Sequence, residues 1–156
     1  MEYPLLKSAH ILSLVLLFGT GLGSAFYKYY SDRSGNLAAI AVTNRLVVFA
    51  DWLFTTPTVI IQPVTGFLLL QSLGMSWQEP WVVVSLILYA IAGGCWVPVV
   101  WLQIRMRDIS TTSLDRGEAL PECYHRDKRI WFWLGVPAFI CMVLIVFIMI
   151  FKPEFW

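Results

Sequence analysis

Four stretches of this sequence are too long and too evenly apolar to be core helices of a soluble domain. They cover about residues 5–27, 52–73, 81–104 and 130–151. A helix crossing the roughly 30 Å hydrocarbon core of a bilayer needs about 20 such residues. Lipid offers no hydrogen bonds, so each stretch must pair its own backbone N–H and C=O groups, and a helix does that. The expected fold is all-α: a polytopic membrane protein built as a four-transmembrane-helix bundle, with residues 1–156 forming a single membrane domain. Charged residues make up only 13% of the chain, against about 25% in soluble domains. That is too few to wet a globule, which excludes a soluble enzyme, a disordered chain and a nucleic-acid-binding protein.

The second stretch is the least regular. Residues 37–73 are apolar but interrupted by Arg45, Asp51, Pro57 and Pro63. At about 1.5 Å per residue this is too long for one perpendicular crossing. An amphipathic or interfacial lead-in over 37–51 is expected, followed by a span kinked at its prolines. If helix instead continues inward from Leu46, Asp51 enters the bilayer and needs a partner such as Arg45 or Arg105. Gln62, deeper still, is expected to face the bundle interior. The first stretch reads as a retained span, since it is longer than the apolar part of a signal peptide.

Charge sets an orientation. Nine of the eleven basic residues fall in two connections, about 28–45 and 105–129; the others are Lys7 and Lys152. The positive-inside rule makes both connections cytoplasmic loops and both termini extracytoplasmic. Tyr3, Tyr27, Tyr29, Tyr30, Trp77, Trp81, Trp131 and Trp156 fall near the boundaries, as an aromatic belt would. Cys95, Cys123 and Cys141 have no paired spacing, and Cys123-Tyr124-His125 lacks the second pair a zinc site requires.

Few residues inside the spans can do chemistry. His10 lies about one turn inside the first span, with Lys7 three residues earlier on the same face. A neutral imidazole at that depth either hydrogen-bonds at the interface or serves as an axial ligand of haem iron. His125 belongs to the opposite side, so the two histidines do not share a metal within one subunit. A sixth haem ligand would be absent, a Met such as Met75 or Met149, a Lys, or a group from a second chain. Gly19, Gly21 and Gly23, with Gly66, Gly93, Gly94 and Gly135, either let helices approach closely or make room for a flat cofactor.

Several short motifs occur in a telling order: Lys7-Ser8-Ala9-His10 in the first span, Pro63-Val64-Thr65-Gly66 in the second, Pro137 in the last, and Lys152-Pro153 after it. Together they resemble the HemJ-type protoporphyrinogen oxidases and the CopD-like copper-resistance proteins. Within that set the chain most resembles the integral membrane proteins grouped as domain of unknown function 2269. The resemblance implies a multi-pass protein of the bacterial inner (plasma) membrane. It also implies haem b bound through His10, with Lys7 beside it. The chain departs from the HemJ type at two places. Residues 81–104 contain no lysine, and Leu134-Gly135-Val136-Pro137 replaces an Asn-Glu-x-Pro signature. The expected function is a small integral membrane protein that binds haem b in a redox or porphyrin-related role. The alternative is a non-enzymatic membrane subunit or metal-handling protein without a cofactor. Whether it is an enzyme is left open. Expected partners are the lipid bilayer and either a second copy or another membrane subunit.

Overall fold

A computed structural model describes residues 2–155, and among them the only regular structure is helix. Four helices are long and apolar enough to cross a membrane: α1 (Glu2–Ser34), α2 (Leu37–Ser72), α3 (Pro80–Arg116) and α4 (Glu122–Phe151). Gly35, Gly74 and Gly117 adopt positive φ at the three turns, a conformation only glycine takes without strain. Asn36 caps α2, its side chain accepting a 3.1 Å bond from the Ala39 N–H. Turns this short make neighbouring helices antiparallel, so the bundle runs up and down. The turns at 35–36 and 117–121 define its basic end. The opposite end holds the turn at 73–79, where Lys152 lies 5.2 Å above the Trp81 ring.

Two expectations about connections need correction. The segments 28–45 and 105–129 are mostly helix, interrupted only at 35–36 and 117–121. Hydropathy places the end of a span at its first charges, but a helix continues wherever those charges find partners. The segment 37–51 is likewise no separate lead-in. It is the first part of α2, and its Ile40, Ala41, Asn44, Val47 and Val48 are buried at helical spacing. Of the aromatic residues at the span boundaries, Tyr3, Tyr27, Tyr29, Tyr30 and Trp77 are exposed, whereas Trp81 and Trp131 are buried among the helices. Trp156 lies outside the described residues.

Asp51 opens a π-helical turn, Asp51–Thr55, inside α2. Pro57 has no N–H to give to the turn before it, and the wider turn absorbs the mismatch. Thr side chains pair carbonyls around it: Thr56 Oγ1 donates to Asp51 O at 3.0 Å and Thr58 Oγ1 to Phe54 O at 2.7 Å. Pro63 deprives Val59 O of its partner in the same way. Tyr89 Oη, from α3, donates to that carbonyl at 2.6 Å. At Pro63 a hydroxyl from the neighbouring helix thus takes over the exposed backbone acceptor, as a membrane interior requires.

α2 packs along α1 throughout and on α3 chiefly through residues 37–50, and α3 packs on α4. The buried core, Ile40, Val99, Leu102, Met106, Tyr124 and Trp131, lies toward the basic end. α1 and α4 form the loosest neighbouring pair. Between them run the Phe18–Phe139 contact at 4.9 Å and the Tyr29–Phe132 contact at 6.5 Å.

Candidate functional site: polar groups and a cavity inside the bundle

His10 faces α2. Its Nδ1 lies 2.9 Å from Thr65 Oγ1, and its Nε2 lies 3.3 Å from Gln62 Nε2. The Thr65 hydroxyl spends its proton on Ile61 O at 2.7 Å, so Nδ1 must donate to Thr65 Oγ1 and Nε2 accepts from the Gln62 amide. Ser13 completes the group by donating to the Gln62 carbonyl oxygen or to His10 O. Gly66 lies under the ring, and a Cβ there would sit 3.2 Å from His10 Cε1. Gln62, Thr65 and Gly66 share one face of α2 at i, i+3 and i+4. Lys7 takes no part in this group; its Nζ points back over the Tyr3 ring at 6.0 Å.

A haem on His10 would find a suitable donor nitrogen that Gln62 already engages. A donating Nδ1 with a lone pair on Nε2 is the arrangement of a metal-bound histidine. Here Gln62 occupies that lone pair, and the cavity described below does not border His10. His125 lies at the opposite end of the bundle, as expected from its sequence position. Among the described residues no three His, Cys, Asp or Glu side chains gather as a metal site.

A second polar group, unforeseen from the sequence, joins α1, α2, α3 and α4 at the basic end. Lys28 is fully buried. Its ammonium donates to Asn44 Oδ1 at 2.5 Å, Tyr124 Oη at 3.2 Å and Asp32 Oδ2 at 3.3 Å. Tyr124 Oη donates in turn to Asp32 Oδ1 at 2.5 Å. Asn44 Nδ2 reaches Ser110 Oγ and Tyr124 Oη, each at 3.0 Å. The three ammonium protons are thus all used, and the charge is balanced by one carboxylate. Trp131 adds its ring face 5.5 Å from Nζ. The sequence signal was a Lys28/Asp32 pair at i, i+4 and an Asn inside an apolar run.

Seven residues inward from Asn44, Ser110 and Tyr124 stand Asp51, Gln103 and Trp131, a layer about 10 Å deeper. They border a cavity of about 360 Å³, which Leu17, Phe18 and Leu22 of α1 and Phe132, Phe139 and Met142 of α4 also line. Asp51 is buried and faces Thr55 and Trp96, yet neither makes a well-aligned hydrogen bond with its Oδ2. Thr55 Oγ1, Trp96 Nε1, Gln103 Oε1 and Trp131 Nε1 are also buried without a partner. Buried polar atoms are nearly always paired, so this layer beside the cavity is unusual: Asp51, Thr55 and Trp96 face one another in poor alignment, and Gln103 Oε1 and Trp131 Nε1 find no partner. Neither Arg45 nor Arg105 pairs with Asp51; Arg105 Nε instead meets Asp127 Oδ2 at 3.1 Å. Gly21, Gly93 and Gly135 border the same space, and a Cβ at any of them would meet nothing within 4 Å. Gly19 and Gly23 are equally open. The glycines of the first span therefore do not hold a neighbouring backbone close, and those at the cavity leave it room.

The sequence profile of one family, described as a predicted integral membrane protein (DUF2269), matches residues 4–153. The chain belongs to this family. No curated protein and no solved structure matches it. The match places both polar groups and the whole cavity within the DUF2269 region. The family description supports a multi-pass protein that lives in a lipid bilayer. Of the residues singled out from the sequence, His10, Gln62, Thr65 and Gly66 come together, Asp51 reaches the cavity, and Lys7 stays apart.

Proposed function

We propose that this DUF2269 protein binds a lipid-soluble small molecule of the quinone or quinol class inside the membrane. The observation that carries the reading is the apolar cavity of about 360 Å³ whose lining residues include five with buried polar atoms that lack a well-aligned partner. Its volume lies within the roughly 300–1,000 Å³ of small-molecule sites. Those polar atoms include both kinds of partner. The Trp96 and Trp131 indole N–H groups donate to a ring carbonyl, while Gln103 Oε1 and Asp51 accept from a ring hydroxyl. The cavity lies between α1 and α4, the loosest pair, so a ligand enters sideways from the lipid. By the positive-inside rule the basic end faces the cytoplasm, which puts both termini outside an inner (plasma) membrane.

The test is thermal unfolding of the detergent-purified protein with a decyl-substituted benzoquinone or its quinol. At 100 times its Kd such a ligand stabilises the folded state by about 2.7 kcal/mol. Dodecane, which has the tail but no polar ring, should give no saturable shift. Gly93→Leu fills open space and should abolish the ligand shift while leaving the unliganded protein at least as stable. No saturable shift in the parent, or one that persists in Gly93→Leu, would sink the reading.

Haem b on His10 is the second reading, supported by the Thr65 bond that leaves Nε2 as the acceptor nitrogen. It requires the Gln62 amide to turn away. The absorption spectrum of the same preparation, oxidised and dithionite-reduced, decides it. A Soret band lost in His10→Ala supports haem; a colourless protein that stays colourless with added haemin removes it.

A further inference from the structure

We propose that the groove between α1 and α4 at the basic end binds the headgroup of an anionic phospholipid. Arg33, His125, Lys128 and Arg129 line a groove of about 450 Å³ there. His125, Lys128, Arg129 and Phe132 stand at i, i+3, i+4 and i+7 on α4, so one helix face carries cations at its basic end and turns apolar inward. α1 repeats the pattern, with Arg33 and Tyr29 bordering the groove and Leu22 and Phe18 further inward.

The charge in this groove is not balanced from within. Among the described residues Lys128 and Arg129 form no ion pair, and Arg33 donates only to the neutral Tyr29 Oη at 3.3 Å. Asp32 also lines the groove, but its carboxylate is spent on Lys28 and Tyr124. Three cations converge with no acid to answer them, the chemistry of a site for a phosphate group.

The surroundings identify that phosphate as a lipid's. Tyr30 and Trp133 beside the groove are 56% and 65% exposed, aromatic side chains at the level where a bilayer meets water. Leu22 and Phe26 on α1 continue inward as exposed apolar surface. From Arg33 to Phe18 the crevice spans 15 residues of α1, about 22 Å. One leaflet of the hydrocarbon core is about 15 Å deep, so an acyl chain lies along the crevice while its headgroup stays among the cations. The groove shares Trp131 and Phe132 with the cavity, and the acyl chain would run past Phe18 and Leu22 of the cavity wall. Arg33, His125, Lys128 and Arg129 do not line the cavity, so variants of these cations test the headgroup site apart from the quinone reading.

The experiment is native mass spectrometry of the purified protein with equimolar phosphatidylglycerol and phosphatidylcholine of identical acyl chains. Phosphatidylglycerol should be retained over phosphatidylcholine by at least about tenfold, since each basic residue near a headgroup contributes about fivefold. Lys128→Gln/Arg129→Gln should remove most of that preference. Arg107→Gln/Arg116→Gln, which takes two charges from the same end but outside the groove, should keep it. Folding of each variant is checked by its elution profile and unfolding temperature. Excess glycerol phosphate should compete only weakly, because it lacks the tail. Equal retention of the two lipids, equal losses in both double variants, or full displacement by glycerol phosphate would each overturn the proposal.

Discussion

Lys28→Met is expected to destabilise the bundle by about 3–5 kcal/mol, the cost of removing one partner from a buried ion pair. The methionine fills much the same space, so the loss is electrostatic rather than steric. Asp32 would keep its carboxylate with only the Tyr124 hydroxyl to answer it, and Asn44 Oδ1 would lose its donor. An ordinary hydrogen bond between membrane helices is worth far less, about 0.6 kcal/mol on average. Ser110→Ala, which removes one neutral acceptor from Asn44, should therefore cost no more than about 1 kcal/mol. The measurement is reversible unfolding in mixed micelles by denaturing detergent. The diagnostic variant is Lys28→Met/Asp32→Leu, which removes both charges and should recover most of the stability lost by Lys28→Met alone. If the double variant is as unstable as the single one, the pair is not what holds the four helices in register.

The spans were legible in the sequence because lipid imposes a simple rule, about 20 apolar residues for each crossing. The helix ends were not. Lys28 and Arg105 look like loop charges because they end apolar runs, whereas α4 supplies Tyr124 to Lys28 and Asp127 to Arg105 across the bundle. Hydropathy has no view of such pairs. Proline positions marked irregular backbone in the second span, but not its form. A π turn at Asp51–Thr55 and a Tyr89 hydroxyl donated across to Val59 O are tertiary answers to missing backbone donors. Asp51 shows the same limit. Its entry into the bundle was one of two foreseen alternatives, but its surroundings were not, because the layer it shares with Gln103 and Trp131 exists only once α2, α3 and α4 are aligned. His10 was the reverse case. It stood out by being ionisable inside a span, and its partners sat on one readable face of α2.

That face supports a second large effect, this one steric. Gly66→Val is expected to cost about 2–3 kcal/mol, within the range for overpacking a well-fitted site. The added Cβ alone would lie 3.2 Å from His10 Cε1, and two further methyl groups leave the imidazole nowhere to lie. Moving the ring breaks its bonds to Thr65 and Gln62 together. His10→Ala alone removes those bonds without strain and should cost about 0.6–1.7 kcal/mol, between the average and the largest values for polar contacts between membrane helices. The two substitutions should be strongly non-additive. With the ring gone, Gly66→Val meets open space, so in the His10→Ala background its cost should fall below about 1 kcal/mol. Unfolding by denaturing detergent across the four proteins of this cycle gives the coupling directly. The expected coupling is favourable to the double variant by about 1–2 kcal/mol. Equal costs of Gly66→Val in both backgrounds would mean the ring does not rest on Gly66. A glycine at this position then needs a different reason, and His10 a different set of neighbours.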